Sequence, residues 1–428
     1  MIRLVTDVRP FRALRYSPAL DLAKALCPPF DTISPQEQKA LHDLSPHNAV
    51  RIELALGEGD DRYRSATAAL RRWRVDGVLE QEPTPCFYLY DQRFEYGGGT
   101  HVRRAIFGRL RLEPWGDGVL PHEHTFGGPK EDRLRLLRAT RLNASPVFLI
   151  YRDTGGEVGS ILARAASRPP EAAFVTPDGQ GHELRVMRDE VEITALQGAL
   201  AAETLYVADG HHRYETALGY RDECRATRGS WTGQEPENFV LAALSAASDP
   251  GLLVLPIHRV TAAGAPLAQA LARLSPLFDV VAGLTREQMA QRLAGAGVAA
   301  FGLAAAEAEG LHLLTLRDKA AVDSVLPQER STRWRELDYA IANYAILRYG
   351  LGLTEAEMSD YKTLWFTEDA DEAVGAVRDG RARYAVLMRP VPVARILDVA
   401  DAGERMPQKS TFFYPKVPTG LVFNSLDD

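Results

Sequence analysis

The segment TLYVADGHHRYETALGYRDECRATR constrains the fold of this 428-residue chain more than any other stretch. It begins with the apolar run Leu205 to Ala208, typical of a buried strand, and breaks at Asp209 and Gly210. Beyond the break, apolar residues recur at helical spacing, beginning with Tyr214 and Ala217. The pattern therefore predicts a strand, a tight turn and a helix, which is a local unit of α/β folds.

Other patterned segments predict the elements that precede this unit. Helical spacing covers Asp61 to Gly77 and the run DRLRLLRATRL. The runs PCFYLYDQRFEY and FGRLRL, joined through Gly97 to Gly99, predict an antiparallel hairpin. PVFLIY predicts a buried strand. Residues 153–182 are rich in Gly, Pro and Ala with little periodicity, so we expect an excursion or a boundary there.

The second half of the chain has its own signals. NFVLAALSA and Leu252 to Val260 are apolar runs that predict strands. Thr285 and Gln288 form a capping-box signature, and Leu337 to Leu351 predicts a longer helix. The closing run MPQKSTFFYPKVPTGLVF carries three prolines among aromatic and apolar residues, so we expect it to be extended.

These elements predict three domains along the chain, in line with roughly 150 residues per domain. We expect a body over residues 1–261 that carries PHEHT and ADGHHR. A C-terminal α+β unit follows over 262–400. An extended tail over 401–428 packs back on the body.

Composition excludes several classes of protein. Hydrophobic residues at 46% and charged residues at 25% are typical of soluble globular chains, and a net charge of -7 disfavours DNA binding. The three cysteines form no CxxC pair, which argues against a disulfide framework and suits a reducing compartment. Arg3 and Asp7 interrupt any signal peptide, and no stretch reaches the ~20 apolar residues of a membrane span. We expect a cytoplasmic protein without a membrane partner.

The turn from Asp209 to Arg213 has the composition of an anion site. Because Gly210 lacks a side chain, the backbone amides of Gly210, His211 and His212 can face a phosphate. His211 and Arg213 add side-chain donors, and the Arg213 guanidinium fits phosphate oxygens as a fork. Asp209 would repel an anion, so we expect it to hold Mg²⁺ or to accept the proton of an attacking hydroxyl. The structural alternative is that Asp209 caps the helix and its neighbours are solvated.

The run VLPHEHTFGGPKEDR supplies a second group of candidates in a stretch without clear periodicity, where function is more common than packing. On an extended backbone His122 and His124 point to one side and Glu123 to the other. We expect Glu123 to act as general base, and His122, His124 and Lys130 to contact substrate. A surface loop is one alternative. The other is a metallohydrolase, although the spacing is not HExxH, with ligands drawn from His122, His124, His211 and His212.

Two lysines flank the aromatic run near the end of the chain. An extended backbone sends the cations and aromatics of KSTFFYPK to different faces. We assign Lys409 to nucleotide phosphates, and Lys416 could approach them as well. A closing strand packed on the core is the alternative interpretation.

The motif ADGHHRYETAL resembles the box of a bacterial and archaeal family described as a domain of unknown function and related to the ParB and sulfiredoxin superfamily. The resemblance runs almost end to end, through PPFDTIS, NAVRIEL, LPHEHT, KEDRLRLLRAT, NASPVF, LPIHRV and KSTFFYPKVPTGLV. It implies an α/β (α+β) protein. Its ParB/sulfiredoxin-like nucleotide-binding core would have a mixed sheet, with a C-terminal α+β unit in addition.

Within that superfamily the box is similar to the phosphate-binding signature of free serine kinases. This implies a phosphotransferase that moves a phosphoryl group from ADP or ATP to L-serine or a related small hydroxylated metabolite, with Mg²⁺. Asp209 would orient or deprotonate the acceptor hydroxyl, and Gly210, His211, His212 and Arg213 would hold the nucleotide phosphates. Glu123 matches the setting of an upstream glutamate in the kinase pattern.

The other branches of the superfamily imply different functions. ParB proteins use this fold to bind nucleotide while clamping DNA, so a regulatory nucleotide-binding module without turnover is the alternative function. The acidic balance and the lack of an evident helix-turn-helix disfavour DNA as a partner. Sulfiredoxin chemistry needs a cysteine beside the box, where this chain has Gly210. The resemblance leaves a homodimer open.

Overall fold

The structure of the chain is a computed structural model that describes residues 6–123 and 130–427. The described residues fall into two compact units. The first takes its residues from Met1–Pro121, Thr125–Leu253 and Pro415–Asp428, and the second from His122–His124 and Val254–Tyr414. The domain boundaries expected at 261 and 400 stay predictions, which limited proteolysis would test.

The strands of the described residues are short except for the long hairpin β4–β5. In chain order they are β1 (Val8–Arg9), β2 (Leu14–Tyr16), β3 (Leu79–Gln81), β4 (Phe87–Tyr96), β5 (Gly99–Arg111), β6 (Val119–Pro121), β7 (Leu142–Asn143), β8 (Val147–Tyr151), β9 (Ala172–Val175), β10 (Gly181–Met187), β11 (Leu205–Asp209), β12 (Phe239–Ala246), β13 (Leu253–Leu255), β14 (His258–Thr261), β15 (Phe278–Leu284), β16 (Ala300–Ala305), β17 (Leu311–Leu316), β18 (Leu364–Thr367), β19 (Tyr384–Leu387), β20 (Phe412–Tyr414) and β21 (Asn424–Ser425).

The α-helices of the described residues are α1 (Pro35–Leu44), α2 (Val50–Glu53), α3 (Asp61–Val75), α4 (Lys130–Thr140), α5 (Glu157–Ala166), α6 (Glu190–Ala201), α7 (His211–Thr227), α8 (Leu267–Leu274), α9 (Arg286–Ala294), α10 (Lys319–Ser324), α11 (Thr332–Arg335), α12 (Asp338–Ile341), α13 (Glu355–Ser359), α14 (Ala370–Arg378) and α15 (Val393–Asp401). A π-helix over Ala342–Gly350 continues α12, so the helix expected over Leu337 to Leu351 is present. Across the described residues, no helix combines the length and apolar character needed to cross a bilayer.

The first unit is built on a nine-stranded mixed sheet in the order β6-β11-β8-β12-β5-β4-β10-β9, with β1 paired to β5. The pairs β6–β11 and β8–β12 are parallel, whereas β11–β8 and β12–β5 are antiparallel. All five residues of β8 are buried, as expected for a central apolar strand. The expected α/β fold with a mixed sheet is confirmed.

One hydrophobic cluster joins the sheet to three helices in this unit. It combines residues of β4, β5, β8, β11 and β12 with the inner faces of α5, α6 and α7. The hairpin β4–β5 turns at Gly97 and Gly98, whose φ angles of 60° and 80° suit the two-residue turn that the glycines predicted. Helix α3 buries Tyr63, Ala66, Leu70 and Trp73, the stripe expected from their spacing.

The second unit contains a six-stranded antiparallel sheet in the order β15-β17-β16-β19-β14-β18. Helices α9 and α14 cover it with Met289, Ala373 and Ala376 among their buried residues. The capping box predicted at Thr285 is present, since the side chain of Gln288 accepts from the Thr285 amide while the Thr285 hydroxyl accepts from the Gln288 amide. This unit has the expected α+β character.

Two expectations about local structure are wrong. Residues 153–182 are not a boundary, because they contain α5 and β9, which belong to the first unit. The run from Leu252 to Val260 is not one strand, because it divides into β13 and β14 on either side of Pro256. Proline has no N–H to donate to a sheet, which explains the interruption.

Candidate functional site

The turn between β11 and α7 has the expected order of strand, glycine and helix. Strand β11 ends at Asp209, and Gly210 lies at the N-cap of α7 with φ 86° and ψ 28°. This left-handed conformation strains residues that have a Cβ atom. An added Cβ would also lie 2.9 Å from the Nε atom of Arg213. The position directly before the first amides of α7 is therefore one that only glycine can occupy without strain.

Asp209 is held between two cations at this turn, and together with them it forms the strand-end cluster. The Nζ atom of Lys416 lies 2.6 Å from Asp209 Oδ1, and Arg213 donates to Oδ2. Arg213 also donates to the backbone carbonyl of Pro146. The side chains of Asp209, Lys416 and Arg213 are 16%, 17% and 9% exposed, so these ion pairs are largely shielded from solvent. Charge pairs in such surroundings are stronger than surface pairs.

The neighbouring cations decide the ionisation of Asp209. Burial by itself disfavours the charged carboxylate, but Lys416, Arg213 and His211 outweigh it and hold the pKa well below its ordinary value of 3.8. Asp209 is therefore an ionised acceptor at neutral pH. A carboxylate with so low a pKa is a weak proton acceptor, so this geometry favours an orienting or metal-holding role over deprotonation.

The strand-end cluster has more positive than negative charge. Arg103 is 1% exposed, and its electrostatic interaction with Asp209 adds a third cation to Lys416 and Arg213. Arg103 also interacts with the carboxylate of Asp249, so two carboxylates are set against the three cations Lys416, Arg213 and Arg103. An incoming anion would balance the remaining charge, which is the physical requirement for a phosphate site.

The two histidines of the box lie in the first turn of α7 and are partly buried. The ring of His211 is 6.4 Å from that of Trp115, which itself stacks on Tyr214 at 4.4 Å. In the part of the chain that the structure describes, no group of three or more His, Cys, Asp or Glu could hold a metal ion. The ligand set suggested for a metallohydrolase includes His124, which lies outside the described residues.

Glu123 lies in the second unit, where its carboxylate is hydrogen-bonded to the chain. Its Oε1 accepts from the Lys409 amide at 2.7 Å and its Oε2 from the Ser410 amide at 3.2 Å. Thr411 Oγ1 lies 3.4 Å from Oε2. Lys409 has a φ of 56°, which aims its amide and the following one at the same acceptor, while its side chain is exposed. We name this group the glutamate cluster.

Two of the predicted substrate contacts, His122 and Lys130, have partners within their own units, and His124 lies outside the described residues. His122 is 2% exposed, and its Nε2 atom lies 2.7 Å from Thr411 Oγ1. Lys130 opens α4 and forms an ion pair with Glu215 of α7 at 2.6 Å. Lys130 is therefore near helix α7, whereas His122 belongs to the glutamate cluster.

The sequence named Lys416 as a cation that could approach phosphates, but it did not indicate that Lys416 pairs with Asp209, and it did not single out Arg103. The signal available for Lys416 is a cation between two prolines in an otherwise apolar segment. The signal for Arg103 is weaker, because Arg104 follows it in strand β5 and the sequence does not show which of the two arginines is buried. Lys416 contacts Asp209, and Arg103 interacts with it electrostatically, only because the fold brings these residues together.

The chain belongs to the family described as "Protein of unknown function (DUF1015)", whose sequence pattern matches residues 8–340. This confirms the family expected from the ADGHHR box. No protein among the curated ones matches the chain significantly.

Several solved structures are similar to this chain at low identity. A conserved hypothetical protein from Pyrococcus furiosus is 12% identical with a TM-score of 0.37, covering 76% of this chain and 96% of that one. A variant of free serine kinase in complex with AMP is 12% identical with a TM-score of 0.36, covering 74% and 92%. SbnI with a C-terminal truncation, from Staphylococcus aureus, is 10% identical with a TM-score of 0.37, covering 74% and 86%.

Proposed function

We propose that this protein is a phosphotransferase that moves a phosphoryl group from ADP or ATP to the hydroxyl of a small metabolite, L-serine or a relative. The observation that carries the proposal is the strand-end cluster. There, an ionised Asp209 is shared by Lys416 and Arg213 directly before the N-terminus of α7. The resemblance of the ADGHHR box to the phosphate-binding signature of free serine kinases supplies the acceptor class.

Phosphoryl transfer requires positioning and charge stabilisation more than covalent chemistry from the protein. The amides of Gly210, His211 and His212 would bind the nucleotide phosphates, with Arg213 as a forked donor. An incoming polyphosphate competes with Asp209 for the same two cations, Arg213 and Lys416. Phosphate binding would therefore release the carboxylate to orient the acceptor hydroxyl.

Mg²⁺ would bind at this arrangement only together with the phosphates, because the strand-end cluster by itself already carries excess positive charge. A carboxylate offers about four lone-pair positions, and Lys416 and Arg213 occupy two of those of Asp209. Mg²⁺ characteristically takes one or two carboxylates and completes its shell with phosphates and water. Asp209 is accordingly the residue that would hold it. The ion would neutralise phosphate charge during transfer.

Residues outside the strand-end cluster have proposed roles in the same reaction. Glu123 is the proposed general base, and its hydrogen bonds to the Lys409 and Ser410 amides fix the direction of its carboxylate. The exposed side chain of Lys409 is proposed for phosphate. His122, His124 and Lys130 are proposed to contact the acceptor. A regulatory nucleotide-binding module is the second candidate, because the excess of cations favours binding with or without turnover.

The decisive experiment separates binding from turnover. Purified protein is incubated with ADP or ATP, Mg²⁺ and a panel of hydroxy amino acids, and products are followed by ³¹P NMR while calorimetry measures nucleotide binding. We expect a phosphorylated amino acid with the natural sequence and none with Asp209→Asn. Asp222→Asn, an exposed acid on α7, the helix that follows Asp209, is the matched control and should retain activity.

The outcomes have distinct meanings. Nucleotide binding without any product would favour the regulatory module. If neither ADP nor ATP produces heat at near-physiological salt, the phosphate site itself is refuted.

A further inference from the structure

Arg103 is a buried cation whose hydrogen bonds go to the segment that carries Lys416. It lies on β5, is 1% exposed, and its guanidinium carbon lies 4.8 Å from the centre of the Phe148 ring. Arginine is almost never fully buried without specific partners. Its Nη1 atom donates to the carbonyl of Pro415 at 2.6 Å, and its Nη2 atom donates to Oε1 of Gln92 at 2.5 Å.

Gln92 also donates a hydrogen bond to the segment that carries Lys416. It is the direct cross-strand partner of Arg103 in the β4–β5 hairpin, and such neighbours have adjoining side chains. Its amide nitrogen donates to the carbonyl of Lys416 at 3.2 Å and to Oε1 of Gln180 at 2.7 Å. Two adjacent residues of one hairpin thus hold two consecutive carbonyls, those of Pro415 and Lys416. We call this arrangement the carbonyl clamp.

The clamp determines where the Lys416 side chain begins. Lysine has a flexible four-carbon stem, so its ammonium can be placed only if its backbone is fixed. The Nζ atom of Lys416 lies 2.6 Å from Asp209 Oδ1, with the side chain 17% exposed. Burial lowers the pKa of Arg103 to about 10, which leaves the guanidinium charged at neutral pH.

We infer that Arg103 and Gln92 are positioning residues that hold Lys416 on Asp209 through the carbonyls of Pro415 and Lys416, and that they thereby set the anion affinity of the strand-end cluster. The second half of this inference rests on the proposed function. The first half concerns only the placement of one ammonium, so it can be tested without any ligand.

The first test measures the exposure of the Lys416 ammonium. The chain has seven lysines, so acetylation by limiting acetic anhydride can be quantified at each by peptide mass spectrometry. Exposed Lys362 serves as the internal reference. We expect Lys416 labelling relative to this reference to rise severalfold in Arg103→Met and in Gln92→Met. Arg104→Met is the matched control, because Arg104 pairs with Asp91 and takes no part in the clamp.

The second test measures anion affinity with inorganic pyrophosphate as the probe. Binding to folded Arg103→Met or Gln92→Met should weaken by roughly tenfold, the effect of losing one well-placed charged contact. Arg103→Lys should recover part of the affinity, because it keeps the charge and one donor. Circular dichroism and thermal unfolding establish that each variant is folded. Gln92→Met retains the Arg103 bond to Pro415 and serves if Arg103→Met does not fold.

The results separate this inference from the proposed function. Increased Lys416 labelling in a protein that binds neither pyrophosphate nor nucleotide would support the clamp and refute the phosphotransferase. Unchanged labelling in folded Gln92→Met or in folded Arg103→Met would overturn the clamp, even if nucleotide binds. A purely structural role predicts lower thermal stability with neither labelling nor pyrophosphate affinity altered, and that result would also overturn it.

Discussion

The Asp209 carboxylate stabilises the folded chain only while it is ionised. Its folded-state pKa lies below the ordinary value of 3.8, so its ion pairs contribute fully above about pH 4 and are lost as pH falls through the folded-state pKa. Asp209→Asn should destabilise the protein by about 3 kcal/mol at pH 7, because two buried cations lose their partner. In urea unfolding from pH 7 to pH 2.5, the difference in the free energy of unfolding between the natural chain and Asp209→Asn should become smaller only below about pH 4.

An exposed acid provides the comparison for this prediction. Asp222 pairs with Arg221 on the same helix, but its side chain is 61% exposed. Asp222→Asn should change the free energy of unfolding by less than about 1 kcal/mol at any pH in this range. Equal effects of the two substitutions would show that Asp209 has no special electrostatic role.

At the scale of single residues, sequence reasoning identified the members of the strand-end cluster that are close in the chain. Asp209 and Arg213 are four positions apart, at the spacing that brings side chains together at a helix start. Lys416 follows Asp209 by 207 positions, and no local pattern connects them. Arg103 is likewise joined to the C-terminal segment only by tertiary packing. Long-range ion pairs of this kind cannot be deduced from spacing.

The N-cap glycine of α7 can be examined by comparison with a second helix. Gly210 and Gly156 both cap helices in the left-handed region, with φ of 86° and 67°. A Cβ atom at Gly210 would meet Arg213 at 2.9 Å, whereas one at Gly156 meets nothing within 4 Å. Gly156→Ala should therefore cost about 1–2 kcal/mol of backbone strain alone. Gly210→Ala should cost the same strain and in addition displace Arg213.

Two measurements distinguish these effects. Urea unfolding gives the stability cost of each substitution, and calorimetry with pyrophosphate gives the anion affinity. Affinity should fall in Gly210→Ala and stay unchanged in Gly156→Ala. A loss of affinity in both variants would indicate that strain, and not the position of Arg213, is responsible.

At the scale of elements, the helices and strands with strong local patterns were predicted correctly, and those in segments of ambiguous composition were missed. Strand β11 and helix α7 were found because an apolar run, a glycine break and helical spacing agree. Helix α5 was missed although Val158, Ile161, Leu162 and Ala165 follow helical spacing and are buried. The flanking Gly and Pro residues obscured that stripe. Strand β9 is only four residues long and half-buried, so its periodicity is weak.

At the scale of the whole molecule, the order of the strands in the sheet could not be predicted from the sequence. The α/β class follows from the alternation of strand and helix patterns. The pairing of β6 with β11 joins Val119 to Leu205, and β8 pairs with β12 across the intervening α5, β9, β10, α6, β11 and α7. Many pairings of short apolar strands satisfy the same hydrophobic pattern. The order that is adopted depends on packing of the complete core.

Each unit also buries a neutral histidine. In the first unit His182 is 3% exposed, with Nδ1 2.7 Å from the Tyr90 hydroxyl and Nε2 2.9 Å from Thr176 Oγ1. In the second unit His258 is 4% exposed and its Nδ1 accepts from the Met388 amide at 3.0 Å. Burial lowers the pKa of each from 6.5 to about 4. Both histidines therefore resist protonation in the folded chain.

This burial predicts acid sensitivity well above the range in which Asp209 titrates. Between pH 6.5 and pH 4 the unfolded chain binds a proton at each histidine that the folded chain does not, so stability must fall as pH is lowered through this window. A shift from 6.5 to about 4 corresponds to a loss of roughly 3 kcal/mol for each residue. The pKa values of Asp249 and Asp338 are raised by burial, which acts in the opposite direction.

The contribution of His258 can be isolated with a substitution that keeps an acceptor but cannot titrate. His258→Asn can still accept from the Met388 amide, and subtracting its pH profile from that of the natural chain cancels the aspartates and every other group. The free energy of unfolding, measured in urea at pH 7.5 and pH 4.5, should fall less in His258→Asn than in the natural chain. Since the neutral imidazole is what the fold requires, NMR of the labelled ring should show it unprotonated at pH 5. Identical declines in both proteins, or a protonated ring at that pH, would contradict the prediction.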